Sequence, residues 1–141
     1  EITEAGLVEF DCDVLAPCAL EQLVNEENAG RVRAKIVAEG ANGPVTPGGD
    51  EILEDKGVLV LPDVLVNAGG VVVSYFEWVQ GLQEYFWKEY EVNAKLNDIV
   101  VRAFEETWQT RETRGTSMRM AAYGLAVRRV AEASTTRGLY P

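Results

Sequence analysis

Histidine is absent from this sequence and cysteine occurs only twice, which removes the usual residues of metal and nucleophile chemistry. Cys12 and Cys18 lack the C-x-x-C spacing, and with no imidazole to complete a tetrahedral set a structural metal is not expected. Reduced thiols in a cytoplasmic protein are the plain reading. Neither G-x-S-x-G nor a P-loop occurs, so triad hydrolysis and nucleoside triphosphate chemistry have no supporting residues. Positive charge is scarce: 13 Lys and Arg stand against 23 Asp and Glu, a formal net charge of −10 at pH 7. Nucleic acid and anionic membrane surfaces are therefore not expected partners. Long apolar runs are missing too, since VLVL at 58–61 and VVV at 71–73 fall far short of the roughly 18 residues that cross a bilayer. A soluble chain is expected. No basic stretch followed by an apolar one opens it, so no signal peptide is read, and a start on Glu1 suggests a chain that begins inside something longer.

What is present suits one buried core, with 47% hydrophobic residues in 141 positions. Short apolar runs alternate with turn residues and amphipathic stretches, the pattern of β-α units around a parallel sheet. Three runs read as strands: Cys12 to Ala16 closed by Pro17, Ala34 to Ala38, and Val58 to Leu61 closed by Pro62. A helix with Leu20, Leu23 and Val24 on one side, ending near Gly30, is expected between the first two. A second, opened by Thr46 and Pro47 and ended by Gly57, is expected between the others. Helical crossovers imply parallel strands. After Asn67 three helices are expected: from Gly69 to about Trp87, from Val92 to Trp108, and from a Thr116 or Ser117 cap to a frayed Arg137-Gly138 end. The aromatics of the first, Tyr75, Phe76, Trp78, Tyr85, Phe86 and Trp87, read as core or interface packing. Residues 1–88 form one expected unit and residues 89–141 a second, helical one.

In an open parallel sheet, ligands bind beyond the carboxyl ends of the strands, where loop amides and helix starts converge. The exits here are Pro17-Cys18-Ala19, the EGANGP segment at 39–44, and Asn67-Ala68-Gly69-Gly70. Two of them set glycine beside asparagine: glycine admits a ligand to the backbone, and the amide offers donor and acceptor. EGANGP also reads equally well as an ordinary tight turn. Asn67 can cap a helix whose first turn, at Gly69 and Gly70, leaves amides open to an anion or a ligand oxygen. Helical spacing then puts Asn67, Gly70, Val71 and Ser74 on one face. A lone serine there can also bond back to its own helix. Glu39 and Glu77 are weaker candidates, because a single acid near a strand end usually faces solvent or a helix dipole.

Over nearly its whole length the chain resembles the glutamate dehydrogenase family of amino-acid dehydrogenases. The stretches that carry the resemblance are DCDVLAPCALE at 11–21, AKIVAEGANGPVTP at 34–47, VLPDVLVNAGGVVVSYFEWVQ at 60–80 and RMAAY at 119–123. It implies the second half of a Rossmann-like sheet followed by C-terminal helices, from the closing third of the family's chain and ending at its natural C terminus. It also implies a hexameric parent that converts L-glutamate to 2-oxoglutarate and ammonium with hydride transfer to NAD or NADP. Carried onto this sequence, Asn42 and Asn67 hold the nicotinamide and its ribose, and the backbone at Gly69 and Gly70 adjoins them. Main chain at Cys18 and Ala19 walls the adenosine and pyrophosphate side. Val71 packs on the substrate's methylenes and Ser74 binds its side-chain carboxylate. The helix with Arg119 and Tyr123 returns to brace the other domain.

Departures from the family pattern are specific. Cys18 stands where alanine is usual and Leu20 where serine is common. Gly48-Gly49 replaces better helix formers, weakening that helix start by up to about 1 kcal/mol per glycine. No GxGxxG occurs, and the family's catalytic lysines and aspartate have no counterpart, so no catalytic residue is assigned to this chain, which alone is not expected to catalyse. A leucine, valine or phenylalanine dehydrogenase is an alternative, against which Ser74 argues because those relatives place an apolar residue there. A non-catalytic regulatory or oligomerising paralogue is another. Residues that choose between NAD and NADP are expected upstream.

Overall fold

The computed structural model describes residues 4–138. Three strands, β1 (Val14–Leu15), β2 (Ile36–Ala38) and β3 (Leu59–Leu61), pair in parallel in the order β1-β2-β3. Val14 lies beside Ile36, and Val37 beside Val60. The strands sit inside the three apolar runs but are shorter than them, and in β2 and β3 the central valine is the buried residue.

The second crossover forms as its caps dictate. In α2 (Pro47–Asp55) the Thr46 hydroxyl accepts the Gly49 amide at 3.1 Å, and Gly57 takes a φ of +75° just beyond the end. Leu53 from this helix and Val37 from β2 are both fully buried in one cluster with Val24 and Val8, the latter from α1 (Glu4–Val8), a short helix not anticipated. Fully burying an aliphatic side chain of this kind contributes about 1.5–3 kcal/mol.

The first crossover corrects the reading, since no α-helix forms between β1 and β2. Gln22 has a φ of +54°, and asparagine side chains occupy the local backbone groups. Asn28 Oδ1 accepts the Asn25 amide at 2.8 Å, Asn25 Oδ1 accepts the Glu27 amide at 3.0 Å, and Asn28 Nδ2 donates to the Leu23 carbonyl at 2.8 Å. Such side chains compete with helical hydrogen bonds. Val24 makes a parallel bridge to Val45 instead, Leu20 is exposed, and only a short 3-10 turn remains at Ala29–Arg31. Lys56 Nζ gathers the loose carbonyls of Gly30 and Val32 at 2.6 and 2.8 Å.

Gly49 also has a role beyond weakening α2. A Cβ on Gly49 would stand 3.1 Å from the Val24 carbonyl and 3.2 Å from Asn25 Cα, so the bare backbone lets the β1–β2 connection pass under the helix. A Cβ on Gly48 would stand 2.3 Å from Glu26 Oε1.

Beyond β3 the chain is helical: α3 (Asp63–Val66), α4 (Ala68–Gln83), α5 (Glu89–Arg114) and α6 (Met118–Arg137). The Ser117 hydroxyl caps α6 by accepting the Met120 amide at 3.2 Å. Met118, Ala121, Ala122 and Leu125 form its buried stripe, and α6 packs on α5 and β3 while α5 also packs on α4. Of the six aromatics over 75–87 only Phe76 is buried, set edge-on to Trp87 at 5.5 Å; Tyr75, Trp78, Tyr85 and Phe86 are exposed. Among the described residues no helix is long and apolar enough to cross a membrane.

Candidate functional site

All three strand exits meet at one end of the sheet. The Pro17 carbonyl accepts the amides of Gly40 and Ala41 at 3.0 and 2.8 Å, which ties the exit of β1 to that of β2. Gly40 packs close to the rim, and a Cβ there would fall 2.5 Å from Cys18 Sγ, which would have to turn aside. Cys18 and Ala19 are exposed on this rim. The loop then turns at Gly43, with a φ of +55°, and its amide donates to Asp63 Oδ2 at 2.9 Å at the start of α3.

The two asparagines come together across this junction. Asn67 Nδ2 donates to Asn42 Oδ1 at 2.8 Å and lies 3.4 Å from the Ala41 carbonyl. Asn67 therefore does not cap α4 with its side chain, contrary to the sequence reading. The reason is that α3 runs almost directly into α4: the Asn67 amide already donates to the Asp63 carbonyl, φ and ψ are −92° and 0°, and Gly70 N donates to the Asn67 carbonyl at 3.3 Å. The side chain is left to reach sideways. Asn42 is exposed and its Nδ2 makes no hydrogen bond among the described residues.

Val71 and Ser74 follow one and two turns on, with Val71 75% exposed and the Ser74 hydroxyl donating to the Gly70 carbonyl at 3.0 Å. In this structure the serine makes the back-bond to its own helix. Gly69 faces Leu96 of α5 at 3.8 Å from a would-be Cβ, whereas Gly70 has nothing within 4 Å. A recess of about 640 Å³ near α2 and α6 is lined by Thr46, Asp50, Asp63, Arg119 and Tyr123 and by none of the sequence-predicted site residues. The latter form an open wall.

Beneath that wall lies a charge cluster that sequence reasoning undervalued. Glu39 is fully buried, and both its oxygens receive Arg119, at 3.0 Å from Nη1 and 2.7 Å from Nη2. Glu39 Oε2 also accepts the Asp63 amide at 2.7 Å. Arg119 Nε donates to Asp50 at 2.8 Å, and Asp63 Oδ1 lies 3.9 Å from Nη1. Burial alone would push the guanidinium down, but hydrogen bonds and charge from Glu39 and Asp50 outweigh it and hold Arg119 above its ordinary value. Removing one partner of such a pair typically costs about 3–5 kcal/mol, because the other charge is left buried. Arg119, on the helix whose resemblance implies a brace for another domain, spends its guanidinium on carboxylates of β2's exit and α2. An acid at the end of an apolar strand and one arginine on an otherwise apolar helix face were the available signals.

Residues 1–138 match the Glutamate/Leucine/Phenylalanine/Valine dehydrogenase family. The chain is 51% identical over 137 residues to a cryptic catabolic NAD-specific glutamate dehydrogenase of Bacillus subtilis (strain 168), covering 97% of this chain and 32% of that protein. It is 51% identical over 140 residues to a glutamate dehydrogenase of Thermotoga maritima, covering 99% and 34%. The fold superposes on a hetero-hexameric glutamate dehydrogenase from Thermus thermophilus, crystallised in a Leu-bound form, with a TM-score of 0.94 at 35% identity, covering 99% of this chain and 33% of that one. The chain spans about a third of the length of the curated relatives it matches. On sequence and on fold, it belongs to the Glutamate/Leucine/Phenylalanine/Valine dehydrogenase family.

Proposed function

We propose that this chain acts as the dinucleotide-side wall and closing helices of an NAD(P)-dependent glutamate dehydrogenase, whose catalytic groups are supplied by protein outside these residues. The observation that carries the reading is the Asn67 to Asn42 hydrogen bond of 2.8 Å, which joins two strand exits at the end of a parallel sheet where ligands bind. With that bond made, Asn42 Nδ2 is a donor still to be used and Asn67 Oδ1 an acceptor still to be used. One donor and one acceptor side by side fit a carboxamide and the hydroxyls of a ribose. A nicotinamide bound there supplies the hydride acceptor. The chain's own residues then hold and orient: the asparagines fix the ring, the glycines leave backbone open, Val71 offers an apolar contact and Ser74 a hydroxyl. NAD-specific stands in the names of the Bacillus subtilis relative and of Staphylococcus aureus relatives 47% identical to this chain, which supports NAD as the cofactor.

For Ser74 to read a substrate carboxylate, its hydroxyl rotates from the Gly70 carbonyl toward the ligand, an exchange of a neutral hydrogen bond for a charge-assisted one. Glutamate and 2-oxoglutarate fit this position better than leucine or valine, whose side chains offer the hydroxyl no partner. The exposed Tyr75, Trp78, Tyr85 and Phe86 support further burial of α4 against other protein, in keeping with a hexamer such as the Thermus thermophilus relative. We place the parent protein in the cytoplasm, with residues 1–88 as the cofactor side and residues 89–141 as bracing helices.

Asn67→Asp in the full-length enzyme tests the reading. It removes the donor to Asn42 and sets a carboxylate against the Ala41 carbonyl and the reacting centre. Turnover falls and the KM for dinucleotide rises, while the melting free energy changes by about 1 kcal/mol, the net scale of one partly exposed hydrogen bond. A steep loss of stability with unchanged turnover per folded enzyme contradicts it.

A further inference from the structure

The buried pair beneath the wall is connected to it by an unbroken series of hydrogen bonds. Arg119 grips both oxygens of Glu39, at 2.7 and 3.0 Å, from the first turn of α6. Glu39 directly follows β2 and, through Oε2, holds the Asp63 amide at 2.7 Å. Asp63 in turn accepts the Gly43 amide at 2.9 Å, and Gly43 directly follows Asn42. The Glu39 carboxylate is thereby linked to the start of α3 and, through Asp63, to the Gly43 turn, and these two points carry Asn67 and Asn42.

Two features separate this from an ion pair that only neutralises charge. A two-pronged guanidinium contact fixes the plane of the carboxylate as well as its charge, which an ammonium group cannot do. Also, Arg119 has a second carboxylate, Asp50 on α2, which anchors α6 but, among the described residues, makes no hydrogen bond to the strand-exit loops. The cluster thus contains one branch that leads to the asparagines and one that does not.

We infer that Arg119 is a positioning residue for dinucleotide binding: by orienting the Glu39 carboxylate it sets, through Asp63 and Gly43, the spacing at which Asn42 and Asn67 meet their ligand. The inference rests on the reading of those asparagines as cofactor contacts. It assigns binding strength to a residue that touches no ligand, and it makes orientation, not charge, the property that matters.

The test measures the dissociation constant of NADH for the full-length enzyme by fluorescence, beside a circular dichroism check of folding. Arg119→Lys keeps the charge and loses the fork, and it weakens NADH binding by about tenfold or more, the scale of one lost charge-assisted hydrogen bond. Glu39→Gln combined with Arg119→Met removes this pair together, so that Glu39 is not left as a buried unpaired charge and only the partly accessible Asp50 loses its cation, and it weakens binding at least as much. Asp50→Asn lowers the melting temperature and leaves NADH binding within about twofold, since it cuts the branch that does not reach the loops. A folded Arg119→Lys enzyme that binds NADH like the parent overturns the inference. If Arg119→Lys does not fold, the double variant decides: parental binding by it overturns the inference, and loss of fold in both does so as well, because Arg119 is then a stability residue alone. Asn67→Asp measured alongside separates this from failure of the functional reading. If it too binds NADH unchanged, the asparagine reading falls and takes the inference with it; if it binds weakly while Arg119→Lys does not, only the positioning role falls.

Discussion

At the scale of the residue, Ser74 shows what spacing conveys and what it leaves open. Helical periodicity places it on the face of Val71 and next to the asparagine junction, and the structure adds that its hydroxyl donates to the Gly70 carbonyl at 3.0 Å while remaining exposed. Ser74→Val in the full-length enzyme lowers kcat/KM for glutamate by roughly ten- to a hundredfold, the value of a hydrogen bond to a charged group of about 1.5–3 kcal/mol. For norvaline or leucine the same constant holds or rises. The ratio of the two specificity constants before and after substitution is the check, and an unchanged ratio leaves Ser74 with its back-bond only. Asn67 meets Asn42 at the junction of two strand exits and does not make the side-chain cap that the sequence suggests. Its neighbours in sequence suggest a cap, whereas the α3 turn that occupies its amide first is set by Pro62 and Asp63.

At the scale of the element, the first turn of α2 is organised by a carboxylate from another segment. Glu26 is drawn below its ordinary value by its own amide first, then by the Thr46 hydroxyl, with slight burial opposing and the Gly48 amide adding to the effect. A carboxylate depressed in the folded state contributes stability above its unfolded value, 4.5, and loses it as pH falls through the lower folded value. The melting temperature of Glu26→Gln is therefore below that of the parent at neutral pH, and the gap closes as pH drops below the ordinary carboxylate range. A gap that is the same at all pH values removes Glu26 from the account. Gly49→Ala tests the backbone side of the same junction. Alanine ordinarily improves a helix by about 1 kcal/mol, but here its Cβ meets the Val24 carbonyl at 3.1 Å, so a net loss of stability in denaturant titration is expected. Thr46, Pro47 and Gly57 made α2 legible because helix ends carry local chemistry. The segment before it was misread because Leu20, Leu23 and Val24 have helical spacing, while the competing bonds of Asn25 and Asn28 depend on a turn that periodicity does not encode.

At the scale of the whole molecule, the parallel sheet and the closing helices follow from apolar runs, caps and glycine ends, each readable within a few residues. The cluster that ties them together was not readable, since Arg119 and Glu39 are separated by 80 positions and each alone is an ordinary charged residue. The same limit applies to function. This chain presents an exposed Asn42 beside a half-buried Asn67, an exposed serine and an exposed aromatic stripe, which together make an open wall. The most direct measurement compares the purified full-length protein with the purified 141-residue chain for glutamate-dependent reduction of NAD and NADP, followed by absorbance of the reduced dinucleotide. Steady turnover by the full-length protein and none by the chain alone is the expected result. Turnover by the isolated chain, or a folded full-length protein that does not oxidise glutamate with either dinucleotide, would contradict it.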